Sequence, residues 1–231
     1  MEDDQGGEGD KVKVVVTAGP TREFIDPVRF LSNPSTGKMG FAVAAEAARR
    51  GFDVVLVAGP VSLKTPVGVN RIDVVSAREM LKAVKGAVAG SDPCVFVSTA
   101  AVADFRPGKC AAQKLKKGSM DGVLRLVRNP DILKTVGLAR KKAREKFPIL
   151  VGFAAETGDA VAEAVRKCRA KHLDMVVAND VTEKGAGFGT NTNKVVFVFP
   201  DGSSRRLPLM SKRRVAKKIL DEATRLTTAA R

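Results

Sequence analysis

The chain has 231 residues, 44% of them hydrophobic, and carries a formal net charge of +15. That length and apolar content suit one large α/β domain, or one domain with a small appendage, whose core folds without covalent staples. Three scattered cysteines, a single histidine (His172) and the absence of Tyr and Trp argue against a disulfide framework or zinc site. They also exclude a multi-histidine metal centre, a catalytic histidine pair and the Tyr-Lys relay of short-chain dehydrogenases.

Charge is unevenly placed. The opening decapeptide, MEDDQGGEGD, holds five acids and no base, so residues 11–231 carry +20. It reads as a disordered acidic tail or linker. Basic clusters stand at Lys114, Lys116 and Lys117, at Arg140 to Lys146, and at Lys212 to Lys218. They fit solvated helix faces, a nucleic-acid surface or a site for polyanionic small molecules; aromatics are only 5% of residues, so few stacking platforms exist for bases. No leader pattern opens the chain and no apolar run is long enough to span a bilayer, which predicts a soluble, cytoplasmic protein.

In chain order, VKVVVTA (Val12–Ala18) is an apolar strand, and an Ala-rich helix (FAVAAEAARR, Phe41–Arg50) follows it. Between them runs GPTREFIDPVRFLSNPSTGKMG (Gly19–Gly40). Strand, Gly/Ser/Thr/Asn-rich loop, then helix N-terminus is an arrangement that favours an anion. The same residues also allow Ser35 or Thr36 simply to cap the helix. The loop is far longer than a βα connection needs, which favours function. It is neither a Walker A loop, whose spacing would put its first Gly at Ser32, nor G-x-G-x-x-G.

DVVLVAG (Asp53–Gly59), RIDVVS (Arg71–Ser76) and CVFVSTAAVAD (Cys94–Asp104) continue the strands, with a helix over Ala77–Ala89. Residues 106–120 (RPGKCAAQKLKKGSM) show no period and read as a mobile flap. GVLRLV (Gly122–Val127) is a further strand, and NPDILKTVGLARKKA a helix with Asn129 as N-cap, Pro130 in the first turn and Asp131 favoured by the dipole. PILVGFAAET (Pro148–Thr157), the helix Gly158–His172, LDMVVAND (Leu173–Asp180), a Gly/Asn loop (Thr182–Asn193), a hairpin turning at Asp201-Gly202 and a basic amphipathic helix from Ser211 complete the chain. Alternating βα units predict a Rossmann-like, doubly wound, mostly parallel sheet with helices on both faces, plus a C-terminal hairpin arm. Ligands bind such sheets at the carboxyl ends of the strands.

The Gly19–Gly51 segment, AAVADFRP, the lysine flap, NPDIL, GFAAET and ANDV occur in an order that resembles the bacterial phosphopantothenoylcysteine synthetases, from about Val12 to the last helix. In many bacteria this is the second half of a bifunctional coenzyme A biosynthesis protein, and the flavin-binding decarboxylase half is missing here. The resemblance implies a synthetase domain over residues 11–231, free-standing or excised, that joins 4′-phosphopantothenate to L-cysteine with CTP (ATP less favoured) and Mg²⁺ held mainly by the phosphates. It implies no flavin in this chain, and a homodimer with an arm at about 180–199.

Residue by residue, it implies that Asn33 and Lys114 are catalytic. Arg29, Asn33 and Ser35 would bind the acid substrate. Ser35, Thr36, Gly37, Ala100, Ala101, Asp104, Lys114, Asn129, Pro130, Asp131, Ile132, Phe153, Lys167 and Lys171 would bind the nucleotide. Lys167 and Lys171 also share a helix face by spacing alone, and a surface stripe is the alternative for them. Phe105 stands where relatives often carry Tyr. The competing readings are an NAD(P)-binding oxidoreductase, whose fingerprint is missing, and a basic nucleic-acid binder, which rests on charge.

Overall fold

A computed structural model describes residues 11–90, 93–116, 122–156, 160–180 and 189–231. The acidic decapeptide, part of the flap and much of the Gly/Asn loop lie outside them. The first elements are β1 (Lys13–Ala18), β2 (Arg22–Phe24), β3 (Phe30–Ser32), α1 (Lys38–Arg49), β4 (Asp53–Ala58), β5 (Val69–Asp73) and α2 (Ala77–Val88). The middle of the chain gives β6 (Cys94–Ser98), β7 (Phe105–Pro107), β8 (Leu126–Arg128), α3 (Ile132–Ala143), β9 (Ile149–Glu156), α4 (Ala160–Lys171) and β10 (Met175–Asp180). The last part forms β11 (Thr192–Asn193), β12 (Val195–Val198), β13 (Ser204–Arg206), β14 (Met210–Ser211) and α5 (Lys212–Ala230).

Among the described residues, eight strands build one sheet in the order β13-β12-β10-β9-β6-β1-β4-β5. From β10 to β5 every pairing is parallel, and β12 and β13 extend the sheet antiparallel. The hairpin expected as an arm is thus the sheet's far edge. Alternation along the strands feeds two cores. Val14, Val16 and Ala18 of β1 face α1 and α5, meeting Phe41, Ala44, Ala47, Val215, Ile219 and Leu220. Val15 faces the other side, with Met80 and Val84 of α2, Val136 of α3 and Cys168 of α4. Truncating a fully buried member such as Ile219 to Ala costs about 2–5 kcal/mol.

Because both faces of the central strands are buried, their sequences are continuously apolar rather than alternating. On the α1–α5 seam, Glu46 accepts from Arg49 and Arg50, and Arg50 reaches Asp221 and the Lys217 carbonyl of α5. Chiefly through the Arg49 guanidinium, the Glu46 carboxyl is held down at about 2.

Several local expectations are corrected. The long segment after β1 is not one loop, because β2 and β3 pair within it as a hairpin. Strand Gly122–Val127 gives way to β8, which pairs antiparallel with β7 as a two-stranded ribbon at the base of the flap. The cap of α3 is Asp131, whose carboxylate accepts from Lys134 N at 2.9 Å, and not Asn129. Neither Ser35 nor Thr36 caps α1. Its N-cap is Gly37, left-handed at φ 77, with no side-chain hydrogen bond.

Candidate functional site

The strand order reverses across β1: β4 and β5 lie to one side of it, β6, β9 and β10 to the other. The carboxyl ends of β1 and β6 therefore flank a topological switch point, where the two strand-to-loop exits splay apart. Here the exits are also bonded to one another. Thr99 Oγ1 donates to Thr17 O at 2.6 Å, Ala101 N to Gly19 O at 2.9 Å, and Ala103 N to Thr21 Oγ1 at 3.0 Å.

A cleft opens above this junction, lined by Ser35 to Gly40, by Thr99 to Ala101, by Phe153 on β9 and Asn179 on β10, and by Asn193 and Lys212 from the last third of the chain. The residues that begin α1 line the cleft without a side-chain cap, and the helix dipole adds partial positive charge there. Gly40 is needed for this close seat: a Cβ on it would lie 2.5 Å from both Ala18 Cβ and Thr99 Oγ1.

Two cations add to the field. Lys38 Nζ donates to Gly189 O at 2.8 Å and Asn191 Oδ1 at 2.9 Å, which ties the start of α1 to the segment at 189–191. Lys212, the first residue of α5, is only 8% exposed. Burial, with the nearby Lys38 ammonium, pushes its pKa below the ordinary lysine range. The described lining carries two ammonium groups and no carboxylate. An uncapped helix start with two lysines is a complement for an oligophosphate.

The expected residues fall into three groups. Ser35, Thr36, Gly37, Ala100, Ala101 and Phe153 line the cleft together. Beside it, Asn33 donates its amide to Ala101 O and Val102 O. Asn129 extends this rim by donating to Ala103 O at 2.8 Å, and its own N–H bonds Asp104 O. Pro130 follows it on the same segment.

A second group lies off the cleft lining. Lys171 Nζ pairs with Asp131 at 2.8 Å, Lys167 stands 3.9 Å from Glu163, and Ile132 is buried in the α2–α4 core. The third group joins hairpin and flap: Arg29 bonds Asp26 and the Leu115 carbonyl, next to exposed Lys114. Lys212, Asn179 and Asn193 escaped the sequence reading. Lys212 opens a basic helix that has no distinguishing pattern, and its burial is the signal that a sequence does not print.

His172 serves the fold through its backbone. It ends α4 at φ 56, and its carbonyl accepts from Arg140. Phe105 is 44% exposed under the Arg128 guanidinium.

A doubly wound sheet with a cleft at its switch point lined by two lysines and no carboxylate defines an α/β protein of Rossmann-like type whose cleft is complementary to anions. Residues 10–226 match the DNA/pantothenate metabolism flavoprotein C-terminal domain, and the chain belongs to that family.

The coenzyme A biosynthesis bifunctional protein CoaBC of Bacillus subtilis (strain 168) is 50% identical over 215 residues, 93% of this chain and 51% of the relative. That of Escherichia coli (strain K12) is 45% identical over 214 residues, 91% of this chain and 51% of the relative. The crystal structure of the C-terminal domain of a CoaBC protein is 41% identical, with a TM-score of 0.75, covering 92% of this chain and 93% of that one. The chain spans about half the length of the curated relatives it matches. No helix among the described residues is long and apolar enough to cross a membrane.

Proposed function

We propose that this domain joins 4′-phosphopantothenate to L-cysteine, in the manner of the synthetase half of the CoaBC proteins it resembles. In the first step a carboxylate oxygen of phosphopantothenate attacks the α-phosphorus of CTP. The C–O–P bond forms, the bond to the β-phosphate bridge breaks, and pyrophosphate leaves. In the second step the cysteine nitrogen attacks the acyl carbon, the C–N bond forms, CMP leaves and the amine proton passes to solvent.

The observation that carries this reading is the uncapped start of α1 meeting Lys38 and Lys212 in one cleft, beside the Asn33–Ala101 contact. Such a cleft suits a chemistry in which three anionic species meet and the leaving groups are phosphates, so electrostatic stabilisation and positioning do the work. No strong protein base is needed, in keeping with one structural histidine and no tyrosine.

In this reading Ser35, Thr36, Gly37 and Lys212 hold the phosphates. Ala100, Ala101, Asp104, Asn129 to Ile132 and Phe153 flank the nucleotide, with Lys167 and Lys171 on its outer side. Arg29 and Asn33 face the acid substrate, and Lys114 approaches the transferring phosphate. Mg²⁺ travels with the nucleotide: among the described residues no three His, Cys, Asp or Glu side chains come together to hold it. The active form is a homodimer in which residues 180–199 contribute to the interface, and the flavin-dependent decarboxylase step belongs to another domain or chain.

Incubation with CTP, Mg²⁺, phosphopantothenate and cysteine tests the proposal by pyrophosphate release and amide formation. Amide product with CTP supports it. Absence of pyrophosphate with both CTP and ATP overturns it.

A further inference from the structure

We infer that Asp26, at the tip of the β2–β3 hairpin, is a positioning residue that fixes the Lys114 segment of the flap against the loop carrying Arg29 and Asn33. Its carboxylate has no solvent exposure. Oδ1 accepts from Val28 N at 2.9 Å and Arg29 N at 2.8 Å, closing the hairpin turn as an Asx-type turn. Oδ2 accepts from Arg29 Nε at 2.9 Å and Nη2 at 2.5 Å, and from Leu115 N at 3.2 Å. Nη2 of Arg29 also donates to Leu115 O at 3.0 Å.

One ion pair thus satisfies both backbone groups of Leu115, eighty-nine residues along the chain from Asp26. Such bonds, each with one ionised partner, are stronger than neutral ones. The Arg29 guanidinium and the surrounding amides hold the carboxyl far below the usual carboxylate range, so the pair stays charged at any working pH.

Behind Leu115, Ala111 N bonds Ile25 O at 2.9 Å and Gly108 N bonds Arg125 O at 2.9 Å, which sets the ribbon's base. Lys114 itself is exposed, on a long flexible stem. Where its ammonium can go is therefore decided by the peptide that follows it. The same carboxylate orients Arg29, so a charge expected at the acid substrate and a charge expected at the transferring phosphate share one anchor. A closed ion pair inside a hairpin would stabilise the fold with or without the flap. The bond to Leu115 N is what a purely structural Asp26 would not need.

The inference about catalysis rests on the ligase reading; the docking itself does not. Two variants separate them. Asp26→Asn removes the charge, and Leu115→Pro removes the flap's donor, with the backbone restraint that proline places on residues 114 and 115, while leaving the hairpin's own residues unchanged.

Without substrates, limited trypsin digestion after Lys109 and Lys116, bonds that neither variant alters, is expected to run at least fivefold faster in both variants. With substrates, kcat for pyrophosphate release is expected to fall about tenfold, with a smaller change in KM for CTP. In the double variant Asp26→Asn/Lys114→Gln, kcat is expected to match that of Lys114→Gln alone within twofold, because the effect through Lys114 has nothing left to act on, while the effect through Arg29 is expected in KM for phosphopantothenate. Unchanged digestion of Leu115→Pro overturns the docking. Multiplicative losses of kcat in the double variant overturn the positioning role even if docking holds. If the parent chain makes no pyrophosphate at all, digestion still decides the docking and only the ligase reading fails.

Discussion

The side-chain amide of Asn33 donates to the carbonyl oxygen of Ala101 at 3.1 Å, and to that of Val102 at 3.2 Å. The loop leaving the β2–β3 hairpin is thereby bonded to the loop leaving β6, at the rim of the cleft. A carboxylate in its place would face two carbonyl oxygens and any acyl phosphate beside them. Asn33→Asp is expected to lower amide formation by 10²-fold or more and pyrophosphate release by less than tenfold, within the range for loss of one preorganised donor. Separate assays of the two half-reactions check this, and equal losses contradict the role given to Asn33.

Lys212 gives a prediction about pH. Burial, then Lys38, disfavours its charged form. Without an anion, stability should rise as pH climbs through the lowered value, because the unfolded chain keeps a lysine that still binds its proton there. A bound phosphate favours the charged form, so binding should take up a proton in that range. Nucleotide KM is therefore expected to increase with pH earlier than an ordinary lysine would dictate. Lys212→Met should raise KM for CTP about tenfold, roughly 1.4 kcal/mol, flatten its pH dependence, and leave kcat within twofold. Calorimetry of binding in buffers of differing ionisation enthalpy reads the proton uptake directly.

Gly40 and Gly86 are both helical glycines with opposite expectations. A Cβ at Gly40 would strike Ala18 and Thr99, whereas one at Gly86 meets nothing within 4 Å. Gly40→Ala should cost about 1–3 kcal/mol through overpacking and lift the start of α1 from the cleft, weakening nucleotide binding. Gly86→Ala should stabilise by about 0.5–1 kcal/mol with activity unchanged. Thermal melts with and without CTP distinguish the two.

Cysteine labelling tests the packing of α4. Cys168 is fully buried, its Sγ lies 3.6 Å from Val198 O, and burial pushes the thiol up to about 12. Cys94 is buried in β6 and Cys110 is exposed on the flap. Under native conditions at pH 8 a thiol reagent should modify Cys110 alone, with Cys94 and Cys168 reacting only on unfolding. Rapid modification of Cys168 would contradict the described packing.

The strands were legible where both faces are buried, because VKVVVTA, CVFVS and LDMVVAND leave no polar alternation to misread. The hairpin β2–β3 was not. Its strands have three residues each, and what closes it is Asp26 bonding its own backbone, a geometry that composition reports only as a loop. The α3 cap moved from Asn129 to Asp131 because Asn129 is engaged across the chain with Ala103, a contact no local pattern records. Ser35 to Gly37, which the resemblance assigns to the nucleotide phosphates, line the cleft. Lys212 was beyond such reading, since its burial depends on where α5 packs.

That packing has a consequence for biosynthesis. The cleft begins at Ser35 but receives Asn193 and Lys212 only from the last forty residues, and α5 supplies the apolar cover of α1 through Val215, Ile219 and Leu220. A nascent chain still holding α5 in the ribosome tunnel has a formed βα start with an uncovered seam along Phe41, Ala44 and Ala47. It cannot yet hold a phosphate with both lysines. Completion of the cleft and cover of the α1 seam thus depend on the same helix, and a chain stopped before residue 212 has neither.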